Sequence, residues 1–138
     1  LVYSPSIPLR LSRSGVLSQL QIEALLAIGG CHSVRRASGD RPGFLLADGP
    51  GVGKGRTQAA AILDAWLMGE QRAIWISASN DLHHDAVRDL RAVCSAVPGL
   101  PSLHKHTVSL ASVPVNSAIT LPVGVVFASY ALIARPQR

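Results

Sequence analysis

A glycine-rich segment at residues 48–54 constrains this 138-residue chain more than any other feature of its sequence. Its members are, in order, Asp48, Gly49, Pro50, Gly51, Val52, Gly53 and Lys54. An apolar run at residues 43–47 precedes the segment and an alanine-rich run at residues 54–68 follows it, which is typical of a buried strand and a helix. The order strand, glycine turn, helix predicts a phosphate-binding loop (P-loop), in which main-chain N–H groups and one lysine surround an anion.

The composition is that of a folded α/β domain. Apolar residues make up 48% of the chain and aromatic residues only 4%, so the core must consist of aliphatic side chains, as in helices packed on a parallel sheet. The net charge of +5 suits an anionic partner, although a solvated basic surface explains the charge alone more simply. Cys31 and Cys94 lack disulfide or zinc spacing, and no apolar stretch is long enough for a bilayer. We therefore expect a soluble intracellular protein without a membrane partner.

Apolar periodicity and turn residues predict the order of the secondary-structure elements. Helices are expected at about 18–29, 54–68 and 81–97, and strands at 43–47, 72–78 and 123–128, with a possible short strand at 107–111. Residues 1–16 are expected to be an extended lead-in, because they contain two prolines and no sustained period. Residues 17–138 then alternate strands with helices, which predicts a parallel sheet with ligands at the carboxyl ends of its strands.

The loop departs from the strict P-loop pattern at two positions. Asp48 stands where the first glycine is expected, and Gly55 replaces the Ser or Thr whose hydroxyl binds Mg²⁺. Thr57 is no substitute, because two residues turn a helix by about 200°; we expect a structural role for it. The chain also contains no adjacent acidic pair to hold magnesium and orient water. We therefore expect it to bind ATP without catalytic residues of its own, the metal being held by water or by groups outside this chain.

Four blocks of the sequence resemble the helicase-like ATPase domain of the strawberry notch family, of superfamily 2 type. They are residues 17–24, residues 43–56, residues 72–82 together with Asp85 and residues 88–91, and residues 125–130. The unusual Gly-Lys-Gly-Arg ending of the loop belongs to the second block, whereas residues 98–122 depart from the family. The resemblance implies a RecA-like P-loop NTPase lobe of which this chain is the incomplete N-terminal part. It further implies ATP and Mg²⁺ as cofactors, DNA or chromatin and transcription proteins as partners, and a nuclear location. An Asp-Glu pair is then expected a few tens of residues beyond Arg138.

The resemblance also assigns candidate site residues. Gln21 resembles the glutamine that recognises adenine in such helicases, but it can equally complete a capping box with Ser18. The other expected ATP-binding residues are Asp48, Gly49, Gly51, Val52, Gly53, Lys54, Gly55 and Arg56. Four residues occupy the places of nucleic-acid-binding motifs, although helix capping, with Asn80 or Asp81 before Leu82, is the favoured alternative for them; they are Ser79, Asn80, Ser129 and Tyr130.

Several other polar residues have simpler explanations. Arg88 and Arg91 are expected to pair with Asp85 and Asp89 at helical spacing. The histidines at 83, 84, 104 and 106 lack thiolate or carboxylate partners at metal spacing, so no metal is assigned to them. The leading function is thus a helicase-like ATPase. The alternatives are a degenerate nucleotide-binding interaction module and, weakened by Gly55, a small-molecule kinase or GTPase.

Overall fold

A computed structural model describes residues 3–134 and shows a parallel sheet with helices packed against it. The helices are α1 (Leu9–Arg13), α2 (Gln19–Ser33), α3 (Lys54–Leu67), α4 (His83–Ser95) and α5 (Tyr130–Ile133). The strands are β1 (Arg72–Ser77), β2 (Thr107–Ser109) and β3 (Gly124–Ser129). The predicted α/β class and parallel sheet are confirmed, and the sheet is open rather than closed.

The three strands lie in the order β1-β3-β2, and both pairs are parallel. In the register of the central pair, Trp75 lies opposite Phe127 and Ser77 opposite Ser129. The carboxyl ends of β1 and β3 are therefore side by side, so the residues that follow them share one edge of the sheet. The predicted strands at 72–78 and 123–128 are confirmed, and the short strand expected at 107–111 corresponds to β2.

One face of the sheet carries the core. Trp75 and Phe127 belong to one buried cluster with Leu63 of α3 and Leu90 of α4, as expected where helices cover a parallel sheet. On the opposite face, Ile74 is 70% exposed, so the described residues leave that side of β1 uncovered. The sheet is thus a two-layer structure at this edge.

The strand predicted at residues 43–47 is absent from the described structure. This apolar segment makes no ladder with another strand, and Leu45 is 86% exposed. Together with Ile74 and Ile76 of β1 it borders a cavity of about 450 Å³. The prediction was wrong because a strand needs a neighbouring strand to bond its main-chain N–H and C=O groups. No segment of residues 3–134 forms such a strand pair with residues 43–47.

The N-terminal residues are packed against α3 rather than extended. Leu9–Arg13 forms a helix after Pro8, and Leu11 is fully buried. The carboxylate of Asp64, 2% exposed, accepts hydrogen bonds from the main-chain N–H groups of Ser6 at 2.5 Å and Ile7 at 3.1 Å, and from the Tyr3 hydroxyl. The prediction of an extended lead-in over residues 1–16 was therefore wrong at residues 9–13, which are helical, and residues 1–2 lie outside the described structure.

Helix boundaries follow the prediction except at two places. Gly29 and Gly30 do not end α2, which continues to Ser33; a side chain at Gly29 would collide with the ring of Tyr3, so this glycine allows close packing. The helix expected at 81–97 is α4, preceded by a 3₁₀ turn at Asn80–Leu82. The end of α3 is as predicted, with Gly69 at a φ of +97°.

Candidate nucleotide-binding site

The loop before α3 has the backbone geometry of an anion-binding turn. Gly51 and Gly53 have φ values of +86° and +79°, in the left-handed region that side chains disfavour. Gly53 is also the N-cap residue of α3. Since the first turn of a helix leaves its main-chain N–H groups without helical partners, the positive end of α3 faces the loop. This arrangement is suited to the phosphates of a nucleotide.

The Lys54 side chain folds back onto the start of its own loop. Its Nζ donates hydrogen bonds to the main-chain carbonyls of Asp48 at 3.0 Å and Gly49 at 2.9 Å. The ammonium is thus already held over the loop by two neutral acceptors. A phosphate offers a stronger, charge-assisted hydrogen bond than a carbonyl, so Lys54 can exchange these partners for an incoming nucleotide.

Gln21 joins the start of α2 to the loop. It completes the predicted capping box: its Oε1 accepts from the Ser18 N–H at 2.9 Å, and its own N–H donates to Ser18 Oγ at 3.3 Å. Its Nε2 donates to the carbonyls of Val52 at 2.9 Å and Gly53 at 3.1 Å. Both polar atoms of the side-chain amide are therefore engaged, and adenine recognition by Gln21 would require these bonds to open.

The residue after the lysine faces a carboxylate from α4. A Cβ added at Gly55 would lie 2.5 Å from Asp89 Oδ2, a distance that real Cβ atoms do not show. Arg56 Nε and Nη2 both donate to Asp89 Oδ1 at 3.2 Å, and Arg56 Nη1 donates to the Val16 carbonyl at 3.1 Å. The glycine is thus required by packing, and Arg56 fastens the first turn of α3 to α4.

Asp89 is a functional candidate that sequence reasoning assigned only to a surface pair with arginine. It is 8% exposed and lies on the buried stripe of α4, near Ala86, Leu90 and Val93. The signal for its burial was its spacing, because position 89 falls three residues after Ala86 on the apolar side of the helix. A carboxylate at such a position needs a charged partner, which Arg56 supplies.

The four residues predicted to bind nucleic acid lie at, or within three residues after, the carboxyl ends of the neighbouring strands β1 and β3. Ser79 Oγ accepts from the Asp81 N–H at 3.2 Å and Ser129 Oγ from the Leu132 N–H at 3.3 Å, so each serine caps the turn or helix after its strand. The N-cap is therefore Ser79, not Asn80 or Asp81. Asn80 and Tyr130 remain exposed at this edge.

Thr57 is 1% exposed, in agreement with the structural role expected for it. Arg88 pairs with Asp85 at 2.6 Å, as helical spacing predicts, and also lies 3.6 Å from Oδ1 of its sequence neighbour Asp89. The pairing expected for Arg91 is not seen among the described residues. Within residues 3–134, no three His, Cys, Asp or Glu side chains cluster in a way that could hold a metal ion.

Two histidines are partly buried outside the glycine-rich loop. His83 packs edge-on against Phe127 with ring centroids 5.2 Å apart, and burial, followed by the charge of His84, lowers its pKa. Burial, followed by the nearby charge of Arg91, also lowers the pKa of His104. Both effects favour neutral rings.

Comparison with known proteins defines the class. The family described as "P-loop containing NTP hydrolase pore-1" matches residues 1–138. The chain therefore belongs to this family of P-loop NTP hydrolases, which confirms the predicted P-loop NTPase class. None of the helices among the described residues is long and apolar enough to cross a membrane.

Most of the individual relatives carry the name strawberry notch, which confirms the resemblance. The chain is 43% identical to "Protein strawberry notch homolog" of Caenorhabditis elegans over 128 residues, covering 93% of this chain and 7% of that protein. It is 42% identical to "Protein strawberry notch homolog 2" of Mus musculus over 138 residues, which cover 99% of this chain and 10% of that protein. It is 40% identical to "Protein FORGETTER 1" of Arabidopsis thaliana over 137 residues, which cover 99% of this chain and 10% of that protein. The chain thus spans about a tenth or less of these relatives, and no solved structure matches it.

Proposed function

We propose that this chain is the ATP-binding part of a helicase-like, nucleic-acid-associated ATPase of strawberry notch type. The observation that carries the proposal is the loop at residues 48–54, whose positive-φ glycines and Lys54 stand at the N-terminus of α3. A nucleoside triphosphate is the anion that such a loop takes in P-loop NTP hydrolases. The choice of ATP rests on the helicase-like resemblance.

In this proposal the chain's own residues bind and orient the triphosphate. The main-chain N–H groups around Gly51 and Gly53 surround the inner phosphates, and Lys54 leaves the carbonyls of Asp48 and Gly49 for the outer phosphate oxygens. Gln21 keeps the carbonyls of Val52 and Gly53 turned away from the anion. Magnesium bound with ATP would neutralise phosphate charge, but Gly55 offers it no hydroxyl, so its oxygen ligands must come from elsewhere.

A nucleic-acid partner is proposed for the edge formed by the ends of β1 and β3. Tyr130 is 65% exposed there, and an exposed aromatic ring can stack on a base. Asn80 adds an exposed amide at the same edge, and the net charge of +5 favours an anionic partner. DNA, chromatin or transcription proteins, and a nuclear location, complete the proposal by resemblance to strawberry notch proteins.

The test uses the full-length protein. ATP affinity is measured by calorimetry, and phosphate release is measured with and without single-stranded and double-stranded nucleic acid. The proposal expects ATP binding and turnover that rises with nucleic acid. It also expects Tyr130→Ala to reduce that rise and to leave ATP affinity unchanged. Failure to bind ATP refutes the proposal. A rate of phosphate release that no nucleic acid changes refutes the proposed nucleic-acid partner.

A degenerate nucleotide-binding interaction module is the second candidate. It is favoured by Gly55 and by the lack of an adjacent acidic pair anywhere in the 138 residues. Such a module would bind ATP and recruit partners without hydrolysis. Magnesium-dependent phosphate release by the full-length protein, above the level of a Lys54→Ala variant, excludes it; tight ATP binding without release establishes it.

A further inference from the structure

We propose that the carboxylate of Asp89 takes the place of the missing P-loop hydroxyl and gives an oxygen to the magnesium ion of bound nucleotide. The inference rests on the proposed nucleotide-binding function and names a metal ligand within this chain. It replaces the expectation that the metal depends on water or on groups outside the chain.

The position of Asp89 is the first argument. In a strict P-loop, the side chain after the lysine carries the hydroxyl that binds Mg²⁺. Here that residue is Gly55, and Asp89 Oδ2 lies 2.5 Å from the place its Cβ would occupy, with Asp89 Cγ at 3.6 Å. A carboxylate oxygen therefore lies in the space that the metal-binding side chain fills in a strict loop.

The orientation of Asp89 is the second argument. Arg56 Nε and Nη2 bind Oδ1, each at 3.2 Å, and Arg88 Nε approaches the same oxygen at 3.6 Å. Among the described residues, no hydrogen bond reaches Oδ2. The side chain is 11% exposed. Oδ2 is therefore the carboxylate oxygen of Asp89 that remains available to a cation beside Gly55.

The chemistry of the donor is the third argument. Mg²⁺ prefers hard oxygen ligands and is usually bound by one or two carboxylates together with substrate phosphates and water. Asp89 is an anionic donor, whereas the serine or threonine hydroxyl that it replaces is neutral. Arg56 acts as a positioning residue, because it occupies Oδ1 and anchors itself to the Val16 carbonyl at 3.1 Å. Gly55, Arg56 and Asp89 thus form one matched set.

The first experiment measures how much magnesium tightens ATP binding to the full-length protein. ATP affinity is determined with excess Mg²⁺ and with EDTA for wild type, Asp89→Asn and Arg56→Gln, after thermal melts show that each is folded. Loss of a metal ligand should lower the magnesium-dependent gain in affinity at least about tenfold in Asp89→Asn. Arg56→Gln, which removes the ion pair and keeps both carboxylate oxygens, should weaken binding but retain most of that gain.

A second variant pair tests the shared space. Gly55→Ser alone should weaken magnesium-dependent binding, because the new side chain collides with Asp89. Gly55→Ser combined with Asp89→Ala should recover the magnesium gain, since the hydroxyl then has room to bind the ion. An additive double variant, with no recovery, contradicts the inference.

The outcomes separate this inference from the proposed function. If the wild type does not bind ATP, the proposed function itself is refuted. If the wild type binds ATP and gains affinity from magnesium, but Asp89→Asn keeps that gain, only the role of Asp89 is overturned. A wild type that binds ATP with no gain from magnesium overturns it as well.

Discussion

The side-chain amide of Gln21 donates a hydrogen bond of 2.9 Å to the carbonyl oxygen of Val52, across 31 residues of sequence. The bond ties the first turn of α2 to the phosphate-binding loop. Because the same side chain closes the capping box of α2, one residue stabilises a helix end and a loop together. Loop geometry and helix stability are therefore coupled, and the coupling can be separated by substitution.

Gln21→Glu should separate the two roles. Glutamate keeps the capping box, whose acceptor is a side-chain oxygen, but it loses both donors to the loop. The loop then loses two supporting hydrogen bonds, each worth about 0.5–1.5 kcal/mol, so ATP affinity should fall about tenfold while the cap of α2 is kept. Gln19→Ala is the control, because Gln19 is exposed and its side chain bonds to Glu23 rather than to the loop. ATP and GTP affinities are both measured; an equal loss indicates loop support, and a loss confined to ATP indicates adenine recognition.

Lys54→Ala should weaken ATP binding at least about tenfold, because a charge-assisted contact to phosphate contributes about 1.5–3 kcal/mol. The matched control is Lys105→Ala, which removes the other lysine of the chain from an exposed turn. Calorimetric titration of the full-length variants measures the effect. Wild-type affinity in a folded Lys54→Ala variant would remove Lys54 from the site.

Gly53→Val should abolish nucleotide binding at a modest cost in stability. The residue has a φ of +79°, and an added Cβ would lie 2.5 Å from Gln21 Nε2, so the loop must change shape. Gly51→Val should act in the same way through its φ of +86°. Gly99→Val is the control, because it imposes similar strain, at a φ of +89°, outside the loop. If Gly53→Val binds ATP normally, the loop is only a connector.

The isolated 138-residue segment should self-associate. Ile74 is 70% exposed and Ile76 43% exposed on the uncovered face of β1, and an open strand with an apolar face promotes aggregation. Ile74→Thr should reduce the association, since threonine keeps the β-branched shape and adds a hydroxyl. Val115→Thr should not, because Val115 is 90% exposed in a connecting segment outside the sheet. Light scattering after size-exclusion chromatography measures both, and a monomeric wild-type segment would contradict the expectation.

Local sequence signals were sufficient for most elements and for the loop. The helix over residues 54–68 follows from its alanines and from Gly69, and the capping box of α2 follows from Ser18 and Gln21. These predictions hold because their causes act within one turn of helix: side-chain periodicity, a cap, or a glycine at positive φ. The glycines and Lys54 identified the loop for the same reason.

Contacts between distant segments decided the rest. Residues 43–47 have the composition of a strand, but a strand forms only when another chain segment supplies hydrogen bonds, and composition does not show which segment does so. The helix predicted to end at residue 29 continues to Ser33, and Gly29 within it packs against the ring of Tyr3. Gly55 stands where a strict P-loop has a residue with a hydroxyl, and the reason is seen only in the packed structure. There α4 brings Asp89, 34 residues further along the chain, against Gly55 of α3. Periodicity describes each element alone, whereas steric fit and ion pairing arise only when the elements pack together.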